Sequence, residues 1–221
     1  MKNFLFVGFA FAFIFSASAN TIGHWTFETS KPTTAGPVAS EIGTGTASGV
    51  HASSSTAYSN PTGNASSESW SANRWAAGDY WEFQVSTLGS ENIQVSYDQY
   101  GSGTGPRDFD FAYSTDGSIF TVFQSYQLSG ADTWNSKSFD LSATPLLDEA
   151  SMVYFRLINS SAVSINGGAI GTSGSDRIDN FLITGAAVAH TPDTLPFGFA
   201  AMTLTGFVVS SRKFLTRIPN P

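Results

Sequence analysis

The sequence GPRDFDFAYSTDGSIFTVF, residues 105–123, decides the fold class. Within it, Phe109, Phe111 and Tyr113 alternate with acidic or small residues, which is the period of a strand with one buried face. An Asp-Gly pair at 116–117 supplies the turn residues of a tight β-hairpin, and apolar residues then lead the chain back. We therefore predict that this stretch is the central hairpin of an antiparallel β-sheet domain.

Six further segments have the same strand character, and most are separated by connections rich in Gly, Asn and Ser. They cover residues 20–27, 80–87, 93–100, 137–141, 152–158 and 178–184. Residues 29–69 are mostly Gly, Ser, Thr, Ala and Pro. So long a loop is improbable inside a compact domain, and we expect one or two short polar edge strands there. The predicted fold class is all-β, an antiparallel β-sandwich of jelly-roll type over residues 20–189, with a closed barrel as the alternative.

The first 19 residues have the features of a signal peptide. Lys2 precedes an almost wholly apolar segment, residues 4–15, and Ala-Ser-Ala at 17–19 provides a small-x-small cleavage site. We predict a signal helix over residues 1–19, cleavage after Ala19 and hence export. A buried N-terminal helix is the alternative.

A second apolar segment lies in the C-terminal part of the chain, residues 190–221. It covers residues 195–209 and is followed by Arg212, Lys213 and Arg217. About 15 apolar residues is fewer than the ~20 that a spanning helix usually needs. Basic residues after the segment would hold that end on the cytoplasmic side of a membrane. We predict a C-terminal hydrophobic helix, with a plain membrane tail anchor or a buried helix as alternatives.

The motif Pro192-Asp193 precedes this apolar segment. The order of Pro-acidic motif, apolar segment and basic end resembles the PEP-CTERM class of bacterial sorting signals, in a Pro-Asp variant. This resemblance implies a bacterial exoprotein that an exosortase-like membrane enzyme processes, with the C-terminal segment as a transient or retained membrane anchor. It also implies a secreted or cell-envelope location and a link to extracellular polysaccharide or biofilm.

The composition of the central region limits the partners and chemistry of the domain. Residues 20–189 contain six Lys or Arg against sixteen Asp or Glu. Nucleic acid is not expected as a partner, because phosphate binding requires clustered basic residues. The chain has no cysteine, which excludes disulfides, thiolate metal sites and cysteine nucleophiles.

Catalytic motifs give no support to an enzyme. The sequence lacks a nucleophile elbow, a His-Glu-x-x-His motif and a phosphate-binding loop. His24 and His51 are the histidines of the central region, and no serine is singled out as their partner. Asp108 and Asp110 share one face of a strand and could meet the spacing of a glycosidase carboxylate pair. We interpret them as solvated surface acids and predict a non-catalytic protein.

Three short segments, at 113–117, 153–157 and 177–181, resemble jelly-roll modules of bacterial secreted proteins, the galactose-binding-like and carbohydrate-binding sandwiches. In such modules a structural calcium ion commonly lies where the first strand ends and the last begins. The resemblance carries this site to Glu28 and Asp179, with Asp176 as a helper. Structural Ca²⁺ is thus the one cofactor considered, and salt bridges to arginine are the alternative use of these carboxylates.

Aromatic residues provide candidates for a sugar-binding platform. Trp81 alternates with buried positions and is expected in the core. We select Trp70, Tyr80 and Trp134 as candidate residues of an exposed platform. Tyr100, with the loop 101–105 that follows it, is a further ligand-binding candidate as the rim of another site. The predicted function is a secreted or cell-surface matrix protein with glycan affinity. The alternatives are a structural adhesin without a specific ligand and a hydrolase of extracellular polymers.

Overall fold

A computed structural model describes residues 19–188 of the chain. Nearly all of the predicted signal peptide and the whole predicted sorting segment, including Pro192 and Asp193, lie outside the described residues. Between residues 19 and 188, no helix is long and apolar enough to cross a membrane.

The described region is built from β-strands joined by turns. In chain order the strands are β1 (Ala19–Trp25), β2 (Val38–Ala39), β3 (Ile42–Gly43), β4 (Gly45–Val50), β5 (Tyr58–Ser59), β6 (Trp70–Asn73), β7 (Tyr80–Val85), β8 (Ser90–Gly101), β9 (Asp108–Ser114), β10 (Thr121–Gln127), β11 (Thr133–Asp140), β12 (Val153–Asn159) and β13 (Ser175–Ala187). A single 3₁₀ turn, Pro145–Leu147, follows β11.

The strands form two antiparallel sheets. The larger sheet has the order β11-β8-β13-β1-β3, with β6 and β5 continuing from the first half of β13. The smaller sheet has the order β10-β9-β12-β7-β4-β2. The first strand pairs with the last, β1 with β13, as expected for a jelly roll. The prediction of an all-β fold with two antiparallel sheets is confirmed.

The hairpin predicted from residues 105–123 is present as β9 and β10. Phe109 and Phe111 are fully buried, as the alternating pattern predicts. Opposite Phe111, strand β10 contains one extra residue, Phe123, because the register shifts between Val122 and Gln124. This irregularity has the character of a β-bulge at the edge of the sheet.

The Gly- and Ser-rich segment 29–69 contains four strands, β2 to β5, where one or two were expected. Strand β4 also lies inside the smaller sheet, between β7 and β2, and not at its edge. The glycines of β4 explain why its sequence does not show the apolar alternation of a buried strand. A Cβ atom on Gly45 would meet the Trp25 ring, and one on Gly49 would meet the Trp81 ring. Aromatic rings from neighbouring strands fill the space that apolar side chains of β4 would otherwise occupy.

An aromatic core joins the two sheets. At its centre, Phe83 of β7 stacks face to face on Phe181 of β13, with 3.4 Å between the ring centroids. The largest fully buried side chains are Trp25, Trp70, Trp81, Phe27, Phe83, Phe109, Phe111, Phe155, Phe181, Ile93, Leu141 and Leu147. Since this core draws on both sheets, it fixes which strand faces are left to contact solvent or a ligand.

Candidate functional site

Two of the predicted ligand-binding residues, Tyr100 and Trp134, lie side by side on the outer face of the larger sheet. They are register partners on β8 and β11, and their ring centroids are 5.4 Å apart. Arg177 of β13 is the register partner of Tyr100 on the other side, and its guanidinium carbon lies 4.3 Å from the Tyr100 ring centroid. We call Trp134, Tyr100 and Arg177 the aromatic row.

The aromatic row is held in place by contacts at its ends. The Tyr100 hydroxyl donates a hydrogen bond of 2.6 Å to Asp132 Oδ1 in the turn before β11. Burial and this hydrogen bond raise the pKa of Tyr100, while the positive charge of Arg177 lowers it. The ring is therefore a neutral, oriented surface, partly exposed beside Trp134.

A shallow open depression of about 520 Å³ lies next to the aromatic row on the same face. Its polar lining residues include Asp98, which is two residues before Tyr100 on β8, and Ser136, which is two residues after Trp134 on β11. Two residues along a strand correspond to roughly 7 Å. The aromatic row and this outer depression are thus neighbours on one continuous face.

Polar groups in the outer depression converge on Asp98. Its Oδ1 accepts a hydrogen bond of 2.5 Å from Ser136 Oγ, and its Oδ2 accepts one of 3.0 Å from Asn180 Nδ2. A carboxylate has about four lone-pair positions, and these two bonds leave acceptor capacity for a ligand. Asn180 has a left-handed backbone with φ of 50°, a conformation that asparagine tolerates better than most residues.

His24 of β1 also lines the outer depression. Burial lowers its pKa, while the negative charges of Glu41 and Asp179 act in the opposite direction. At neutral pH its imidazole is therefore uncharged and offers one hydrogen-bond donor and one acceptor. The sequence places His24 on the outward side of β1, but nothing in the sequence shows which strands will flank it.

The prediction that Trp70 forms an exposed platform is wrong. Trp70 is 0% exposed, and its ring centroid lies 4.6 Å from that of Trp81 and 5.8 Å from that of Phe27. Its strand, β6, pairs with the first half of β13 and so turns the indole into the aromatic core. A four-residue strand is too short for its alternation to indicate which side is buried.

Tyr80 lies on the other sheet and does not join the aromatic row. Its ring packs against the Arg156 guanidinium, whose central carbon is 4.0 Å from the Tyr80 centroid and 3.6 Å from the Phe120 centroid. Arg156 Nε also donates a hydrogen bond of 2.7 Å to Glu82 Oε2. These contacts between β7, β12 and the β9–β10 turn leave Tyr80 in a structural stack.

Glu28 and Asp179, the predicted calcium ligands, both hold the loop that precedes β6. Asp179 Oδ2 accepts hydrogen bonds from the Asn64 backbone N–H and the Ser66 hydroxyl, at 2.8 and 2.7 Å. Glu28 Oε1 accepts one from the Glu68 N–H at 2.8 Å. Among residues 19–188 no three His, Asp or Glu side chains form a group that could hold a metal ion. Calcium binding stays a prediction, which melting temperatures with and without a chelator would test.

Asp176, the predicted calcium helper, is fully buried in a polar network within the core. Its carboxylate accepts hydrogen bonds from Trp81 Nε1 at 2.7 Å and Gln99 Nε2 at 3.0 Å. Gln99 Oε1 accepts one from the Tyr126 hydroxyl, which itself accepts one from Tyr97. Burial raises the pKa of Asp176 well above its usual range. Asp176 therefore belongs to the core and not to the loop held by the other two carboxylates.

The carboxylates considered for glycoside hydrolysis are each held by neighbouring side chains. Asp108 accepts hydrogen bonds from Arg107 Nε at 2.9 Å and Ser161 Oγ at 2.5 Å, and Asp110 accepts one from Ser125 Oγ at 2.5 Å. The hydrogen bond from Arg107 lowers the pKa of Asp108. A general acid requires a raised pKa, so this arrangement does not favour hydrolase chemistry.

No protein-family model matches this sequence, and no curated protein matches it. Among solved structures, the module TmCBM61 in complex with β-1,4-galactotriose is 13% identical, with 73% of this chain and 93% of that chain covered and a TM-score of 0.44. The K1 adhesin domain of Lys-gingipain from Porphyromonas gingivalis W83 is 12% identical, covering 77% and 99%, with a TM-score of 0.47. A structure described as CBM4 is 8% identical, covering 63% and 86%, with a TM-score of 0.42. With TM-scores below 0.5, these likenesses are too distant to carry a ligand or an activity over to this chain.

Proposed function

We propose that this protein is a non-catalytic carbohydrate-binding domain, and that a saccharide binds across the aromatic row and the outer depression. The observation that carries the proposal is the pairing of Tyr100 with Trp134 directly beside the polar group of Asp98, Ser136 and Asn180. Aromatic rings offer an apolar surface to the C–H face of a sugar, while carboxylate, hydroxyl and amide groups hydrogen-bond its hydroxyl groups.

The shape of the site indicates the kind of binding. A depression of about 520 Å³ lies within the range of ligand pockets, yet it is shallow and open to solvent along the sheet. An open face accepts part of a longer chain more readily than an isolated small molecule. The expected ligand is therefore a segment of a polysaccharide, bound with modest affinity.

The cellular role that we propose follows from the two ends of the chain. The signal-peptide features of residues 1–19 support export, and the Pro192-Asp193 tail supports exosortase-like processing at the cell envelope. A binding domain delivered in this way would attach to extracellular polysaccharide in a matrix or biofilm. Mass spectrometry of the termini of the native protein tests this part, since an intact residue 1 and an intact tail would contradict it.

Glycan binding is tested by substitution on the proposed face. Trp134→Ala should weaken binding to responsive glycans on an array, and in calorimetry, by about fivefold, because an aromatic contact of this kind is worth about 1 kcal/mol. Asp98→Ala should weaken it as well, since it removes a polar contact.

The matched control is Tyr80→Ala, which removes an aromatic ring from the opposite sheet and should leave glycan binding unchanged. Equal losses in Trp134→Ala and Tyr80→Ala would contradict the assignment of the site. A wild-type protein that binds no glycan on a broad array would contradict the function and leave the structural adhesin in its place.

A further inference from the structure

Strand β10 is an open edge of the smaller sheet. It pairs with β9 on one side, and among residues 19–188 no strand pairs with its other side. Six of its seven residues are exposed, and only Tyr126 is partly buried. A strand of this length with a free edge presents unpaired backbone groups that another strand can join.

Exposed apolar side chains gather at the start of this strand. Ile119 is 76% exposed, Val122 50%, Phe123 37% and Leu146 52%. These four are half of the eight large apolar side chains that the described region exposes. Ile119 and Leu146 line one depression of about 260 Å³, beside the first residue of the strand. We call Ile119, Val122, Phe123 and Leu146 the edge patch.

The position of Phe123 connects the edge patch to the core. As the extra residue of β10, it has no register partner on β9, and its ring makes edge contacts with Phe111 and Phe139 at 6.2 Å between centroids. Phe123 thus covers the side of the core at the edge of the two sheets, while one face of its ring remains exposed to solvent. Another chain along β10 would remove that face from water.

The charge of the strand indicates what this other chain is. Residues 20–189 carry ten more acidic than basic side chains, from sixteen and six, yet β10 has the sequence TVFQSYQ and carries no charge. Strand β11, at one edge of the larger sheet, contains Lys137 and Asp140. Charged residues normally protect edge strands from pairing, and β10 has none of its own. Lys137 of β11 contacts only the C-terminal end of β10, where it lies over the Tyr126 ring and donates to the Gln127 carbonyl oxygen at 3.4 Å.

The acids nearest to β10 are Asp108 and Asp110 of β9, and both already accept hydrogen bonds from neighbouring side chains. They therefore offer little to a basic partner, whereas a second acidic copy needs a contact that brings few charges together.

We propose that this protein forms a two-fold dimer in which β10 pairs antiparallel with β10 of a second copy. The two smaller sheets then form one continuous sheet, and each edge patch is covered by the partner. Antiparallel pairing of a strand with itself is isologous, so the same surface serves both copies and the assembly closes at two. Such a dimer places two saccharide-binding faces on one particle.

The test uses the full chain, whose association is followed by analytical ultracentrifugation over a range of concentrations. Hydrogen–deuterium exchange of residues 121–127 is measured on the same samples. We expect a monomer–dimer equilibrium in which the backbone amides of β10 become protected from exchange as the fraction of dimer increases. Val122→Lys puts a long charged side chain on the paired strand of each copy and should weaken dimerisation at least tenfold.

The matched control is Val50→Lys. Val50 is 40% exposed on β4 of the same sheet, and three strands separate β4 from β10. The Val50→Lys variant should therefore dimerise as the wild type does. Circular dichroism confirms that both variants are folded. A chain that stays monomeric, a dimer without added protection of residues 121–127, or a Val122→Lys variant that dimerises normally would each overturn the proposal.

Discussion

At the scale of single residues, His51 shows how burial controls a titratable group. Its Nδ1 lies 2.9 Å from the Tyr58 hydroxyl, its ring centroid is 4.3 Å from that of Trp75, and its Nε2 is buried without a hydrogen-bond partner. Burial lowers the pKa of His51 to about 4, although the negative charge of Asp79 acts to raise it. The folded protein therefore holds this imidazole neutral.

We predict that the free energy of unfolding decreases as the pH falls from about 6.5 to about 4. The pKa of His51 is lower in the folded than in the unfolded chain, so the unfolded chain takes up the proton first and is favoured by acid. The stabilisation by the neutral His51 is fully present above the pKa that this group has in the unfolded chain. It is lost as the pH falls toward its pKa in the folded chain, and the loss reaches up to about 3 kcal/mol. Urea denaturation at a series of pH values measures it.

His51→Gln should flatten this pH dependence above pH 4.5, where carboxylates contribute less. His24→Gln measures how much the other histidine contributes to the pH dependence, because burial lowers the pKa of His24 as well. An unchanged slope in His51→Gln would show that the imidazole already accepts a proton in the folded state.

Residue identities predict only part of the candidate site. Tyr100 and Trp134 are partly exposed, and their role in binding stays a prediction, whereas Trp70 has the same side chain as Trp134 and is in the core. Asp98 and Asn180, which lie 82 positions apart, meet only because β8 and β13 pair. Cross-strand neighbours follow from register. The hydrophobic pattern indicates which face of a strand is buried, but it does not tell which residues of two distant strands lie opposite each other.

At the scale of elements, alternation identifies the strands that bury one face and fails for β4. Strands β9 and β12 and residues 93–97 of β8 carry apolar residues at every second position, so their type is predictable. Strand β4, GTASGV, has small residues where large ones are expected. Its position depends on rings contributed by β1 and β7, which lie elsewhere in the sequence.

Gly45→Ala should lower the free energy of unfolding by about 2 kcal/mol, the usual cost of overpacking. A Cβ atom at Gly45 would lie 2.6 Å from the Gln84 carbonyl oxygen and 2.9 Å from both Trp25 Cη2 and Val85 Cγ1. Gln84 precedes Val85, the register partner of Gly45 on β7, and its backbone oxygen is held by the sheet and has little room to move. Urea denaturation monitored by tryptophan fluorescence provides the value.

The control for this substitution is Gly168→Ala. A Cβ atom there would have the Ser164 hydroxyl as its nearest neighbour, at 3.9 Å, which is ordinary contact. Its effect should stay within about 0.5 kcal/mol. Equal effects of the two substitutions would mean that β4 moves freely enough to admit a methyl group.

At the scale of the whole molecule, the domain is stabilised without disulfides by rings that belong to both sheets. Phe181 of β13 stacks on Phe83 of β7 at 3.4 Å and lies 5.4 Å from Tyr97 and 6.0 Å from Trp25, all between ring centroids. Neither sheet can bury its inner face without the other. The proposed saccharide face, on the outside of the larger sheet, depends on this core for its flat and fixed geometry.

Phe181→Ala should therefore destabilise both sheets together, by about 3 to 5 kcal/mol, the range for removing a buried phenylalanine. We expect the unfolding curves from far-ultraviolet circular dichroism and tryptophan fluorescence to shift to lower urea by the same amount and to remain coincident. Leu88→Ala, at a side chain that is 62% exposed, serves as the control and should shift neither curve measurably. Curves that separate in Phe181→Ala would mean that the sheets unfold independently, and the outer face would then not depend on the cross-sheet core.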